Sequence, residues 1–192
     1  PYTTLFRSHG RLKNEQLPAI GGAVISSHWT ELPFEAMWVP QEASIGHRFT
    51  FEANIEVPKN YEVVSTGSQR KTSKGWHIQS PISGPDLPLV ISDQMQKRKF
   101  TDGSMPVTVY HGGAPDSVTT FVAERAGQIL DRYAGRFQGG SETDALRITV
   151  APLERATSSS YARTGFIALK HGVEPDTSLY ELIAHEAAHL WW

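Results

Sequence analysis

Two histidines and a glutamate near the end of the chain have the types and spacing of a metal-dependent hydrolytic site. His185, Glu186 and His189 form the pattern HExxH. On a helix, residues four positions apart are separated by about 40° around the axis and about 6 Å along it, so both imidazoles can bind one ion. Neutral imidazole is a good zinc ligand, and the adjacent carboxylate can accept a proton from water. The pattern predicts Zn²⁺ at His185 and His189, with Glu186 as the catalytic base.

The neighbouring residues predict that this motif lies on a buried helix. Ser178 and Glu181 have the spacing of a capping box with Ser178 as the N-cap, and a Pro-Asp pair precedes them. The segment that follows is apolar nearly all round, which is typical of a buried helix. Histidines and a glutamate are costly to bury without partners, which favours a metal site. The alternative is a coincidental pair of core histidines, because an HExxH pattern also arises by chance.

The composition is that of a globular chain and argues against several other protein classes. Of the 192 residues, 39% are hydrophobic and 20% are charged, which is typical of a folded protein with an ample core. The net charge of -2 and the lack of a basic stripe predict no nucleic-acid partner. No apolar run approaches the roughly 18 residues of a membrane span, so no membrane segment is expected. The chain has no cysteine, which excludes disulfides and cysteine-ligated metal sites.

The first eight residues, PYTTLFRS, look like a translated sequencing adapter. Residues 1–8 are therefore interpreted as an artefactual leader and are left out of the fold prediction. Because the chain also stops within the predicted HExxH helix, we expect a fragment of a longer protein, cut at both ends.

Hydrophobic periodicity changes along the chain and predicts two domains. Residues 49–57 alternate as in a half-buried strand, whereas 29–40, 67–75 and 80–88 are interpreted as loops, turns or edges. After the Gly-Gly pair at 112–113, the pattern predicts a helix with Asp116 as its N-cap that runs to about Tyr133, and strands over 146–150 and 165–169. The predicted fold is a mainly β N-terminal domain with a sandwich-like or curled sheet over 9–112, followed by the start of an α+β domain over 113–192.

Three segments together indicate a family. They are WVP at 38–40 followed by FTFEANIEVPKNYEVVSTG, the predicted helix leading to LRITVAP at 146–152, and IAHEAAHLWW, where two aromatic residues follow the second histidine. Their order resembles the aminopeptidase N-like family of zinc peptidases, which belongs to the gluzincins. The resemblance spans residues 10–192, and the HExxH segment is its specific part.

The resemblance implies a saddle-like β-domain followed by a thermolysin-like catalytic domain. It implies one zinc ion held by His185, His189 and a glutamate beyond Trp192, with Glu186 as the base. The tyrosine that usually stabilises the oxyanion would also lie beyond Trp192, so the chain alone is expected to be inactive. The metzincin pattern HExxHxxGxxH is excluded, because it needs glycine at position 192 and this chain has Trp192.

One segment departs from the pattern of the family. Its aminopeptidases carry a GxMEN-type segment whose glutamate binds the free amino terminus of the substrate. The corresponding stretch here, SSSYARTGF at 158–166, has no acidic residue, so strict aminopeptidase activity is not implied. We hypothesise that 161–165 is an edge strand lining the cleft, with Tyr161, Arg163 and Gly165 contacting substrate. The alternative is an ordinary surface loop.

The predicted function is zinc-dependent hydrolysis of a peptide bond in a peptide or protein substrate. An endopeptidase of the gluzincin type is an alternative within the same chemistry. A peptidase-like domain that binds peptides or partners without catalysis is an alternative of another class. A third is a β-domain interaction module in which the C-terminal part is incidental.

Overall fold

The computed structural model describes residues 23–39, 48–137, 142–152, 160–170 and 174–191. Within these ranges the protein is mainly β, with twelve strands in three sheets and two α-helices. The mainly β part of the predicted fold class is thereby confirmed. The predicted leader, residues 1–8, lies outside the described residues. No helix in the described ranges is long and apolar enough to cross a membrane.

The first half of the chain forms two antiparallel sheets. The strands are Val24–Ile25 (β1), Thr30–Leu32 (β2), Phe49–Glu56 (β3), Glu62–Val64 (β4), Ser68–Lys71 (β5), Gly75–Gly84 (β6) and Leu89–Ser92 (β7). One sheet has the order β1-β2-β7-β4, and the other has the order β3-β6-β5. The alternation predicted over 49–57 gives β3 one half-buried and one exposed face. Apolar side chains of both sheets share one core, which includes Leu32, Val63, Trp76 and Ile78.

Three of these strands differ from the prediction. β5 lies within the predicted turn at 67–75, and β6 continues to Gly84 in the predicted loop. Both segments are held by backbone pairing while many of their side chains are exposed, so no apolar period marks them in the sequence. β2 lies between β1 and β7 instead of at an edge. Its middle residue is the buried Glu31, which interrupts the apolar pattern.

The third sheet combines parallel and antiparallel strands. Its strands are Gln96–Phe100 (β8), Val107–His111 (β9), Leu146–Val150 (β10), Tyr161–Arg163 (β11) and Phe166–Leu169 (β12), in the order β11-β12-β10-β9-β8. β9, β10 and β12 are parallel, and the two edge strands are antiparallel to their neighbours. The predicted boundary near residue 112 therefore falls within the segment that builds this sheet. The division into two domains stays a prediction.

Two helices pack against the third sheet and share one hydrophobic core with it. Helix α1 (Asp116–Arg136) follows β9 and precedes β10, as in a crossover between parallel strands, and helix α2 (Thr177–Ala188) carries the HExxH motif. Side chains from both helices share one cluster with β9, β10 and β12. The Tyr133 hydroxyl of α1 donates to the Ala184 carbonyl of α2 at 3.1 Å, and its ring meets the Trp191 ring edge-on at 5.6 Å. α1 therefore fixes the placement of α2.

The first and third sheets meet in a separate apolar cluster. Trp29, Val64 and Val90 from the first sheet and its connections pack against Phe166 and Ala168 of β12. All of these side chains are buried, and Trp29 is 2% exposed. The β11–β12 hairpin is thus packed against the first part of the chain.

Candidate metal centre

Helix α2 begins two residues earlier than the capping-box prediction requires. The Asp176 carboxylate accepts a hydrogen bond from the Leu179 backbone N–H at 2.9 Å, and Asp176 is the N-cap. Its backbone is extended, whereas the helix starts at Thr177. The predicted N-cap, Ser178, is an exposed residue of the first turn, so that assignment was wrong. Asp and Ser both favour N-caps, and the sequence alone did not distinguish them.

Replacing Asp176 by Ala should destabilise the fold by about 1 kcal/mol, because the Leu179 N–H loses its partner. Ser178→Ala is the matched control and should change stability by less than about 0.5 kcal/mol. Chemical denaturation of both variants measures the difference. A larger loss in Ser178→Ala than in Asp176→Ala would contradict the observed cap.

The two histidines of the motif project from successive turns at the end of α2. Their rings are exposed, with centres 5.0 Å apart and planes at 90°. Two imidazoles bound to one tetrahedral zinc through Zn–N bonds of about 2.1 Å have ring centres about 5 Å apart. His189 is also the C-cap of the helix, where the negative end of the helix dipole favours a cation. The spacing and chemistry of the pair therefore fit zinc.

Glu186 lies between these histidines in sequence but differs from them in exposure. Its side chain belongs to the buried face of α2, and the residue is 5% exposed. Burial raises the pKa of Glu186, and the positive charges of His185, His189 and Arg163 oppose that rise. A carboxylate with a raised pKa binds a proton more readily, as a general base near neutral pH requires.

Of the predicted zinc ligands, the described residues include His185 and His189. In the part of the chain that the structure describes, no group of three His, Asp or Glu side chains could hold a metal ion. Two imidazoles with one further carboxylate would complete the protein ligands of a catalytic zinc site. The third ligand, expected beyond Trp192, stays a prediction.

The residues predicted to contact substrate lie on or beside one edge strand. Tyr161 and Arg163 belong to β11, at the edge of the third sheet, and Gly165 lies in the turn to β12. This agrees with the predicted edge strand, while the substrate contacts stay predictions. α2 contacts β11, so this strand neighbours the helix of Glu186. Gly165 has a φ of 71°, and a Cβ there would meet the Thr143 hydroxyl at 2.7 Å, so the turn itself requires glycine.

Carboxylates from the first part of the chain, which the sequence did not single out, lie close to β11. Glu31 of β2 and Asp86 of the β6–β7 connection are each 2% exposed. The Arg163 Nε donates to the Asp86 Oδ1 at 2.6 Å, across 77 residues of chain. The charges of Glu31, Asp86 and Glu35 all act on Tyr161 and help to raise its pKa, after burial as the main cause. Such a long-range cluster leaves no local signal in the sequence.

Comparison of the chain with protein-family models and with curated proteins gives no match. The resemblance to aminopeptidase N-like peptidases therefore stays a prediction based on its motifs.

Among the buried carboxyl groups close to β11, the Glu31 side chain has a pKa near neutral pH. Burial raises its pKa from 4.5 to about 7, although the Trp29 indole N–H donates to it at 3.3 Å. The nearby Tyr161 hydroxyl also favours the charged form of Glu31, but no hydrogen bond of normal geometry joins this hydroxyl to the Glu31 carboxyl group. Folding therefore favours the protonated form of Glu31.

The pKa of Glu31 predicts a loss of stability as the pH rises. Because the folded value of about 7 exceeds the unfolded value, the stabilisation is complete below pH 4.5 and is lost as the pH rises through about 7. The difference amounts to about 3 kcal/mol. Glu31→Gln should remove this loss, as denaturation between pH 4.5 and 7.5 would measure. Glu56→Gln, an exposed substitution of the same type, is the control. Equal pH dependence in wild type and Glu31→Gln would contradict the prediction.

Proposed function

We propose that the chain is part of a zinc-dependent metallopeptidase of the aminopeptidase N-like type. One observation carries the proposal. The imidazole ring centres of His185 and His189 lie 5.0 Å apart at the end of one helix, and Glu186, between them in sequence, is 5% exposed. A structural pair of core histidines would be buried, whereas these are exposed. The thermolysin-like completion of the catalytic domain and its third zinc ligand belong to this proposal.

The proposed chemistry is hydrolysis of a peptide bond. Zinc, when bound by His185 and His189, lowers the pKa of a water molecule and polarises the substrate carbonyl. Glu186 accepts a proton from the attacking water as its oxygen bonds to the carbonyl carbon. The carbon–nitrogen bond then breaks, and Glu186 delivers that proton to the leaving amine. In this proposal an extended peptide pairs with the edge of β11 that no other described strand occupies, near Tyr161 and Arg163.

Exopeptidase activity is a second candidate, favoured by the acidic surroundings of β11. The segment 158–166 has no acidic residue, but Glu31, Glu35 and Asp86 of the first part of the chain act electrostatically on Tyr161. Opposite them, Arg163 is the cation that pairs with Asp86. Asp86 and Glu35, joined by Glu31 once it ionises above about pH 7, outnumber this one guanidinium and favour a positively charged group, such as the free amino terminus of a peptide.

Hydrolysis of matched peptides by the full-length protein tests both candidates. Peptides with free and N-acetylated amino termini are incubated with zinc-loaded protein, and the products are identified by mass spectrometry. Cleavage of free peptides alone supports an aminopeptidase, and internal cleavage of both supports an endopeptidase. Zinc binding without cleavage of either peptide would contradict the catalytic proposal and favour a binding domain.

A further inference from the structure

β11 is a short strand that its own sheet holds on one side only. Its three residues pair with β12, and it ends the strand order among the described residues. A three-residue edge strand is weakly fixed by its backbone hydrogen bonds alone. Its placement beside α2 therefore depends on contacts made by its side chains.

The Arg163 side chain supplies such contacts to the first part of the chain. Its Nε donates to the Asp86 Oδ1 at 2.6 Å, and its Nη1 donates to the adjacent Ala162 carbonyl at 2.8 Å. Its guanidinium carbon lies 5.0 Å from the centre of the Tyr161 ring. The side chains of Arg163 and Asp86 are 16% and 2% exposed, so the ion pair is shielded from water. The guanidinium is thus fixed in one orientation.

Asp86 is held in place by the residues that follow it. The Leu87 carbonyl accepts a hydrogen bond from the Trp38 indole at 3.0 Å. The Pro88 carbonyl accepts one from the Ser65 hydroxyl at 2.6 Å. Asp86 therefore presents its carboxylate to Arg163 from an anchored segment.

We propose that Asp86 is a positioning residue of the proposed peptidase site, which fixes Arg163 and thereby holds the edge strand β11 in place beside Glu186. This inference rests on the proposed function, because β11 is where an extended peptide would bind. Asp86 acts through Arg163 instead of contacting the substrate, since it is 2% exposed. Helix α2, which carries Glu186, packs against β11, so the strand of Arg163 lies beside the helix of the proposed base.

Other contacts should keep the hairpin attached when Asp86 is changed. The Thr66 hydroxyl donates to the Thr164 carbonyl in the turn after β11. The Arg147 Nη1 of β10 donates to the Gly67 carbonyl at 2.7 Å. The loss of Asp86 should therefore loosen β11 without detaching the third sheet from the first part of the chain.

Asp86→Asn in the full-length protein tests the proposal with two measurements. Hydrogen exchange in the segment 160–166 should become at least about 10-fold faster, while exchange in 179–188 and bound zinc stay unchanged. For peptide hydrolysis, kcat/KM should fall by about 10- to 100-fold, mainly through a higher KM, because misplaced binding groups cost about that much. A purely structural role would lower stability without a change in KM at temperatures well below unfolding.

Two further variants separate the effect of the ion pair from loss of folding. Asp93→Asn is the matched control: it removes the carboxylate of a surface pair with His28 and should leave exchange in 160–166 unchanged. The double variant Asp86→Leu, Arg163→Met replaces the buried pair with apolar side chains, which folded proteins often tolerate. It should fold, yet show the same faster exchange in 160–166 and the same rise in KM.

Wild-type exchange in 160–166 and wild-type KM in either Asp86 variant would overturn the proposal. If wild-type protein with bound zinc hydrolyses no peptide, the proposed function fails. The exchange measurement still decides whether Asp86 fixes β11, because it does not depend on catalysis.

Discussion

Replacing Glu186 by Gln in the full-length protein should lower kcat by about 10²- to 10⁴-fold and leave bound zinc unchanged. The amide keeps the size of the side chain but cannot accept the proton of the attacking water. The histidines on either side are untouched, so the proposed metal ligands remain. Steady-state peptide hydrolysis and zinc analysis of the same preparation measure both effects.

Glu181→Gln is the matched control for this substitution. Glu181 lies on the same helix but is exposed, and it should keep wild-type kcat and zinc content. If Glu186→Gln retained turnover within a few-fold of wild type, Glu186 would not be the base. The buried position of Glu186 would then have to be explained by packing alone.

Replacing His189 by Ala should abolish zinc binding at stoichiometric concentrations and, with it, turnover. His185 and His189 are the two imidazoles whose spacing fits one ion, and without His189 the proposed site keeps only one imidazole and one carboxylate. The zinc affinity should fall by more than the roughly 10- to 100-fold loss that is typical when a residue hydrogen-bonded to a metal ligand is removed, because here a ligand itself is lost. Competition with a zinc-sensitive dye measures the affinity.

His28→Gln is the control for a histidine outside the motif. His28 is exposed and pairs with Asp93 on the first part of the chain. The His28→Gln variant should retain wild-type zinc affinity. Equal zinc affinity in His189→Ala and wild type would show that the ion binds elsewhere.

The sequence predicted the elements around the motif where local periodicity and burial agree. The bounds of β10 and the presence of α1 and of the HExxH helix were all predicted from patterns of apolar residues, although the N-cap of α1 is Pro115 and not the predicted Asp116. These elements bury continuous apolar faces, so their period survives in the sequence.

The elements that the sequence missed depend on contacts without a local pattern. β5 is mostly exposed and is held by backbone pairing with β6. The cap of α2 was assigned to Ser178 because two good N-cap residues lie two positions apart, and only the backbone geometry selects Asp176. The boundary near residue 112, which stays a prediction, follows the change of periodicity from strand to helix, and β9 and β10 pair across it.

In the candidate site, too, the part set by local helix geometry could be predicted, whereas the part set by tertiary contacts could not. The spacing of His185, Glu186 and His189 follows from helix geometry, and could therefore be predicted from sequence. The cluster of Glu31, Asp86 and Arg163 is assembled by tertiary packing between segments far apart in the chain. The acidic surroundings of β11 are thus a property of the fold that the segment 158–166 alone does not reveal.

Zinc titration of the metal-free, full-length protein tests the central proposal most directly. Metal is removed with a chelator, zinc is added back in steps, and peptide hydrolysis is measured at each step. The proposal predicts no turnover without zinc and a linear rise that ends at one equivalent per chain. Turnover that is unchanged by metal removal, or saturating zinc binding without any turnover, would contradict a zinc peptidase.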